Sequence, residues 1–103
     1  MELLQDEKII TQDDAKSDSF GKGTLYMTNT RILFEAKTGG FLSKTTEVKL
    51  DKALGTIKAV SAPGGKQLQM QFEGSVEPTN FHVANADKWE AAIKSALTMS
   101  GKM

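Results

Sequence analysis

The sequence has no cysteine, a single histidine, a single tryptophan and no long apolar run. The absence of cysteine excludes disulfides, thiolate metal sites and cysteine nucleophiles. No apolar run approaches the roughly 18–20 residues of a membrane-spanning helix, and the N-terminus lacks the basic region and apolar core of a signal peptide. We therefore expect a soluble, cytoplasmic protein whose contact with a membrane, if it makes one, is peripheral.

An excess of charge of one sign is also missing, because the 103 residues carry 13 basic and 13 acidic side chains. A domain that binds nucleic acid by itself usually has a basic excess, so we expect no nucleic-acid partner. The length fits one domain over residues 1–103 with a modest core. Short apolar clusters separated by polar turns indicate a globular chain.

The chain does contain a series of short alternating segments, which are typical of β-strands. The most regular is residues 66–73, in which apolar residues alternate with glutamine. The same alternation in residues 44–50 predicts that Val48 and Leu50 face the core. Residues 13–19 are polar and are either a loop or a continuation of the first strand. The predicted strands cover residues 7–12, 24–28, 31–37, 44–50, 56–60, 66–73 and 79–83.

After the last predicted strand the pattern changes to that of one amphipathic helix. Asn85 is a good N-cap for a helix that begins at Ala86. Trp89, Ile93 and Leu97 recur at helical spacing and form one apolar stripe. The order of elements predicts a mainly β fold with one C-terminal helix. A seven-stranded antiparallel sheet has edges to protect, so we expect a partly open barrel capped by this helix.

The stretch from Gly21 to Phe34 reads as two strands joined by a tight turn around Asn29, a residue suited to left-handed turn positions. Its sequence is Gly-Lys-Gly-Thr-Leu-Tyr-Met-Thr-Asn-Thr-Arg-Ile-Leu-Phe. This stretch resembles the G-x-L-Y-x-T-x-x-R-ϕ-ϕ-F hairpin (ϕ apolar) of GRAM domains and related PH-like modules. The resemblance extends in the order of elements over nearly the whole chain.

The resemblance implies the PH superfold, in which two nearly orthogonal antiparallel sheets are closed at one corner by a C-terminal helix. It also implies binding, of phosphoinositides or other lipids in some members and of proteins or ubiquitin in others, and fold alone does not select among these. Lipid-binding PH domains carry clustered lysine and arginine in the first inter-strand loop. Residues 13–22 here hold three aspartates against Lys16 and Lys22. This departure argues against the usual inositol-phosphate site, since phosphate needs an excess of positive donors.

The connection over residues 37–44 is the leading candidate for a binding site. Phe41 and Leu42 form an apolar tip after two glycines, and Lys37 and Lys44 flank the tip. Such a tip is suited to entering a membrane interface or the groove of a protein partner. The alternative is that both apolar residues fold back onto the barrel, as large apolar side chains usually do.

Lys22 and Arg31 are the other candidate site residues. The Gly-Lys-Gly around Lys22 suggests a phosphate loop, but no helix follows it. Arg31 either contacts a ligand or brackets the hairpin by pairing with an acidic neighbour such as Glu35 or Asp18.

No catalytic or metal-binding signature is present. His82, the single histidine, has no ordered partners for a Ser-His-Asp arrangement and is interpreted as an exposed strand residue. We expect no enzymatic activity, no cofactor and no metal. The leading hypothesis is a non-enzymatic binding module that recruits a protein partner or anionic lipid headgroups through its inter-strand loops. Two alternatives stay open: a self-associating adaptor or homo-oligomer subunit that binds only proteins through a sheet edge or helix surface, and a small hydrolase or isomerase of the barrel mouth.

Overall fold

The computed structural model describes residues 3–38 and 45–99. Within this part of the chain, seven strands precede one α-helix. The elements are β1 (Ile9–Ser17), β2 (Gly21–Thr28), β3 (Arg31–Thr38), β4 (Thr45–Ala53), β5 (Ile57–Ser61), β6 (Gln67–Phe72), β7 (Thr79–His82) and α1 (Ala86–Met99). Short 3-10 turns at Leu54–Thr56 and Pro63–Gly65 flank β5.

The seven strands form one antiparallel sheet in the order β4-β3-β2-β1-β7-β6-β5. The contact between β1 and β7 is short and consists of the pairs Lys16–His82 and Ser17–Phe81. This narrow contact joins a half made of β1 to β4 to a half made of β5 to β7. The strands at the two ends, β4 and β5, each pair with a single neighbour in the described part of the chain. These features confirm the predicted mainly β, partly open, PH-like arrangement.

Helix α1 closes the structure by packing against β5 and β6. Its apolar stripe of Trp89, Ile93 and Leu97 is buried, as the helical spacing predicted. The main-chain carbonyl of Asn85 accepts hydrogen bonds from the N–H groups of Lys88 and Trp89, so the helix begins where the sequence indicated. The helix is thereby fixed to the sheet through its apolar face.

Strand β1 is longer than the first predicted strand, and it decides between the two interpretations of residues 13–19. Residues as far as Ser17 continue the strand, because every residue from Asp13 to Ser17 pairs with a residue of β2. Ala15 and Ser17 are buried, whereas the intervening Lys16 is exposed. Residues 13–17 are therefore part of a strand and not a loop. The first connection consists only of residues 18–20.

The prediction that Val48 faces the core is wrong. Leu50 is buried as predicted and pairs with Phe34. Val48, however, pairs with Glu35, so Lys49 is an extra, bulged residue in β4. Because side chains alternate along a strand, one inserted residue moves every residue on its far side to the opposite face. Val48 is accordingly 41% exposed.

Gly23 lies where β2 has no room for a side chain. A Cβ built on it would meet the main-chain carbonyl oxygen of Glu35 far inside contact distance. We expect Gly23→Ala to lower the free energy of unfolding by roughly 1–3 kcal/mol, because main-chain atoms must move. Urea unfolding measures the loss. Gly55→Ala is the matched control, since a Cβ at Gly55 meets nothing within 4 Å; equal losses in both variants would contradict the explanation.

Candidate functional site

Four basic side chains form a row across four strands at one end of the sheet. Lys16 of β1 pairs with Lys22 of β2 on one side and with His82 of β7 on the other. The pairing of Gly23 with Ala36 brings the next residue of β3, Lys37, beside Lys22. Residues opposite one another in antiparallel strands share a face. The cationic row therefore consists of Lys16, Lys22, Lys37 and His82.

The cationic row borders a shallow concavity of about 260 Å³ on the outer face of the sheet. Asp14 is the acidic residue among its lining residues. The imidazole Nε2 of His82 lies 3.2 Å from Oδ1 of Asp18, which belongs to the first connection. Three ammonium groups against the carboxylate of Asp14 give this concavity a net positive charge.

The three lysines of the cationic row make no ion pair with the part of the chain that the structure describes. In residues 3–38 and 45–99, none of them makes an ion pair or a side-chain hydrogen bond. By contrast, three other lysines each pair with a carboxylate, namely Lys49, Lys88 and Lys94. Like charges that face one another across strands are destabilising. A lysine cluster without carboxylate partners among the described residues is suited to an anion from outside the protein.

Exposed apolar side chains lie at the same end of the sheet. The turn between β1 and β2 and the connection between β6 and β7 together line a second concavity of about 270 Å³. Phe20 in that turn is 37% exposed, and its ring stacks on Phe34 with centroids 6.4 Å apart. Val76 in the β6–β7 connection is 95% exposed. We call this end, with the cationic row, Phe20 and Val76, the basic end.

The connection that the sequence favoured as a site also begins here. Lys37, near the end of β3, is exposed and belongs to the cationic row. Phe41, Leu42 and Lys44 lie outside the described residues, so their predicted role stays a prediction. Lys16 was not predicted as a site residue, because three aspartates lie near it in the sequence. The feature of the sequence that could have revealed it is the short turn at residues 18–20. If the strands on both sides extend to this turn, Lys16 lies opposite Lys22.

Arg31 lies at the other end of the β2–β3 hairpin and binds two carboxylates. Its Nε and Nη2 donate to Oε2 and Oε1 of Glu7 at 2.8 and 2.9 Å. Its Nη1 donates to Oδ2 of Asp51 at 2.9 Å. The sequence had named Glu35 or Asp18 as the partner, whereas the carboxylates found at the guanidinium come from distant positions in the chain. The interpretation of Arg31 as a bracket of the hairpin is supported, with different partners.

Glu7 is the centre of this bracket, and its side chain is 0% exposed. Besides Arg31, its carboxylate accepts hydrogen bonds from the hydroxyls of Thr28 and Thr30 at 2.6 and 2.9 Å and from the N–H of Leu4 at 2.8 Å. The hydrogen bonds from Arg31 hold the pKa of Glu7 well below its ordinary value, against the opposing effect of burial. The same hydrogen bonds raise the pKa of Arg31. These hydrogen bonds connect residues 3–8 to the hairpin turn. Arg31, the arginine of the hairpin motif, therefore has a structural role.

In the part of the chain that the structure describes, no group of three or more histidine or acidic side chains is placed to hold a metal ion. No helix there is long and apolar enough to cross a membrane.

Comparison with known protein families matches the model of the GRAM domain over residues 1–97. The matched range includes the hairpin, the cationic row and the contact between Glu7 and Arg31. Comparison with curated proteins finds no match.

Proposed function

The chain belongs to the GRAM domain family of PH-like binding modules, and we propose that it docks on anionic membrane surfaces through its basic end, without catalysing a reaction. The observation that carries this proposal is that the three lysines of the cationic row lie together without a carboxylate partner among residues 3–38 and 45–99. These lysines project from one face of the sheet, so a flat anionic surface can reach all of them.

The expected energy of this contact is appreciable. A lysine close to an anionic leaflet contributes about 1 kcal/mol to binding, so three lysines contribute about 3 kcal/mol. That energy corresponds to a change of roughly 100-fold in the partition coefficient. Because charges in water are screened over about 8 Å at physiological ionic strength, the contribution falls as salt is added.

Apolar side chains at the basic end add a second kind of contact. Phe20 and Val76 are exposed there, and aromatic and aliphatic groups at a membrane interface are stabilised by partial burial among the lipid headgroups. The β3–β4 connection leaves β3 one residue after Lys37. We propose that its Phe41 and Leu42 also enter the interface and that Lys44 meets the headgroups.

Sedimentation with lipid vesicles tests the proposal. We expect the full chain to sediment with phosphatidylcholine vesicles that contain about one third phosphatidylserine and not with phosphatidylcholine alone. The triple variant Lys16→Ala/Lys22→Ala/Lys37→Ala should partition roughly 100-fold more weakly. The variant Phe41→Ala/Lys44→Ala tests the β3–β4 connection separately and should also bind more weakly.

A control variant with the same change in net charge distinguishes binding through the cationic row from an effect of net charge alone. Lys52→Ala/Lys58→Ala/Lys94→Ala removes three positive charges away from the cationic row and should leave sedimentation nearly unchanged. Equal losses in the two triple variants would show that only net charge matters. No sedimentation with any lipid composition would overturn the proposal and favour the alternatives in which the domain binds only proteins.

A further inference from the structure

His82 differs from the three lysines of the cationic row in the chemistry of its side chain. The chain contains one histidine and no cysteine, and histidine is the side chain that ordinarily gains or loses its charge between about pH 5 and 8. His82 lies in β7 opposite Lys16 of β1 and lines the same concavity as the three lysines. The charge of the cationic row can therefore depend on pH through this one residue.

The groups that face His82 come from β1, the β1–β2 turn and β6. In β1, Lys16 lies opposite His82, and Asp14 lies two residues further along the same face. In the turn, Asp18 contacts the ring. In β6, the opposite residue is Gln67, which carries no charge. When the ring is neutral, the three lysines of the cationic row against these two aspartates leave one positive charge on this surface.

The contact with Asp18 determines which ring nitrogen takes up a proton. Nε2 of His82 lies 3.2 Å from Oδ1 of Asp18, and an ionised carboxylate only accepts hydrogen bonds. Nε2 is therefore assigned the hydrogen of the neutral ring, and an added proton binds Nδ1. The carboxylate of Asp18 then lies beside a positive ring instead of a neutral one. The net positive charge of this surface consequently rises from one to two.

We propose that protonation of His82 strengthens the docking of the basic end on anionic membranes, a step that rests on the proposed function because it concerns the same surface. One positive charge near an anionic leaflet changes the partition coefficient about fivefold. The negative potential of such a leaflet also attracts protons. Binding and protonation therefore favour each other, and the domain binds anionic membranes more tightly in a mildly acidic environment.

Vesicle sedimentation of the full chain at two pH values tests the proposal. The vesicles contain phosphatidylcholine and about one third phosphatidylglycerol, whose phosphodiester keeps its charge over this range. We expect the wild-type partition coefficient to be about fivefold higher at about pH 5.5 than at about pH 7.5. His82→Gln should remove this rise. His82→Lys should bind at about pH 7.5 as tightly as the wild type does at about pH 5.5, because its charge is permanent. The His82 side chain is 49% exposed, so both replacements can be accommodated.

The double variant His82→Gln/Ser95→His is the matched control, because it keeps one histidine but moves it to an exposed position of α1. It should show no rise in binding at acidic pH. Equal wild-type binding at the two pH values, a rise that persists in His82→Gln, or binding of His82→Lys no tighter than that of the wild type at about pH 7.5 would overturn this inference and leave the proposed function standing. No sedimentation at either pH would overturn both. Circular dichroism at both pH values shows whether each variant is folded.

Discussion

Replacing Arg31 by alanine is expected to lower the free energy of unfolding by about 3 kcal/mol, because it leaves the carboxylate of Glu7 buried without a counter-charge. Arg31 supplies two of the hydrogen bonds to Glu7 and one to Asp51. The Arg31 side chain is 14% exposed, so water can enter after truncation. We therefore take the lower end of the usual range for breaking a buried ion pair.

Urea unfolding followed by circular dichroism measures this loss. Lys49→Ala is the matched control, because it removes an exposed ion pair to Glu47 at 3.2 Å and should cost less than about 1 kcal/mol. The double variant Glu7→Ala/Arg31→Ala should lose less unfolding free energy than the sum of the losses in the two single variants. The reason is that removing Glu7 also removes the buried carboxylate that Arg31→Ala leaves without a partner. If Arg31→Ala loses as little unfolding free energy as Lys49→Ala, the contact between Arg31 and Glu7 does not stabilise the fold as argued.

The difference in unfolding free energy between the wild type and Arg31→Ala should decrease as the pH falls. The folded protein lowers the pKa of Glu7, so this carboxylate stabilises the fold at pH above 4.5, its ordinary value, and the contribution is lost as pH falls. In Arg31→Ala the buried charge is unsupported, and protonation removes that penalty. The gap in unfolding free energy should therefore narrow below about pH 4.5; a gap that widens in acid would contradict the assignment.

Truncating Trp89 to alanine is expected to cost about 3–5 kcal/mol, because the indole is the largest fully buried side chain and joins the helix to the sheet. Its ring is 0% exposed, and its Nε1 donates to Oδ2 of Asp13 at 2.7 Å. The same carboxylate lies 3.3 Å from Lys88. The tryptophan thus anchors α1 through both packing and a hydrogen bond to β1.

Trp89→Phe separates these two contributions. It keeps an aromatic ring in the core but loses the N–H donor, so we expect a smaller cost of roughly 1–2 kcal/mol. Unfolding must be followed by circular dichroism, because Trp89 is the single tryptophan and the variants lose its fluorescence. Amide exchange of α1 should accelerate in Trp89→Ala. Equal costs for the alanine and phenylalanine variants would show that packing of the ring contributes little.

The sequence predicted those parts of the fold that rest on local periodicity. Strand β6 alternates without interruption, and the stripe led by Trp89 has helical spacing, so both were recognised from apolar positions alone. The hairpin of β2 and β3 was recognised by its motif. The family match over residues 1–97 confirms that recognition.

The features that the sequence did not reveal depend on which strands pair and in what register. Glu7 lies 24 residues before Arg31, and no local pattern connects them. The bulge at Lys49 reverses the face of Val48, although the residues themselves alternate normally. The cationic row is visible only after register is known, because Lys16 and Lys37 are brought together through β2.

The bulges of the two edge strands affect whether the protein aggregates at high local concentration. Lys49 in β4 and Lys58 in β5 each interrupt the regular edge with an inserted, charged residue. Under the proposed function, domains would gather on a membrane at high local concentrations, at which regular edges join into continuous sheets and fibrils. Edges interrupted in this way oppose fibril growth, so the domain should stay dispersed where it is most crowded.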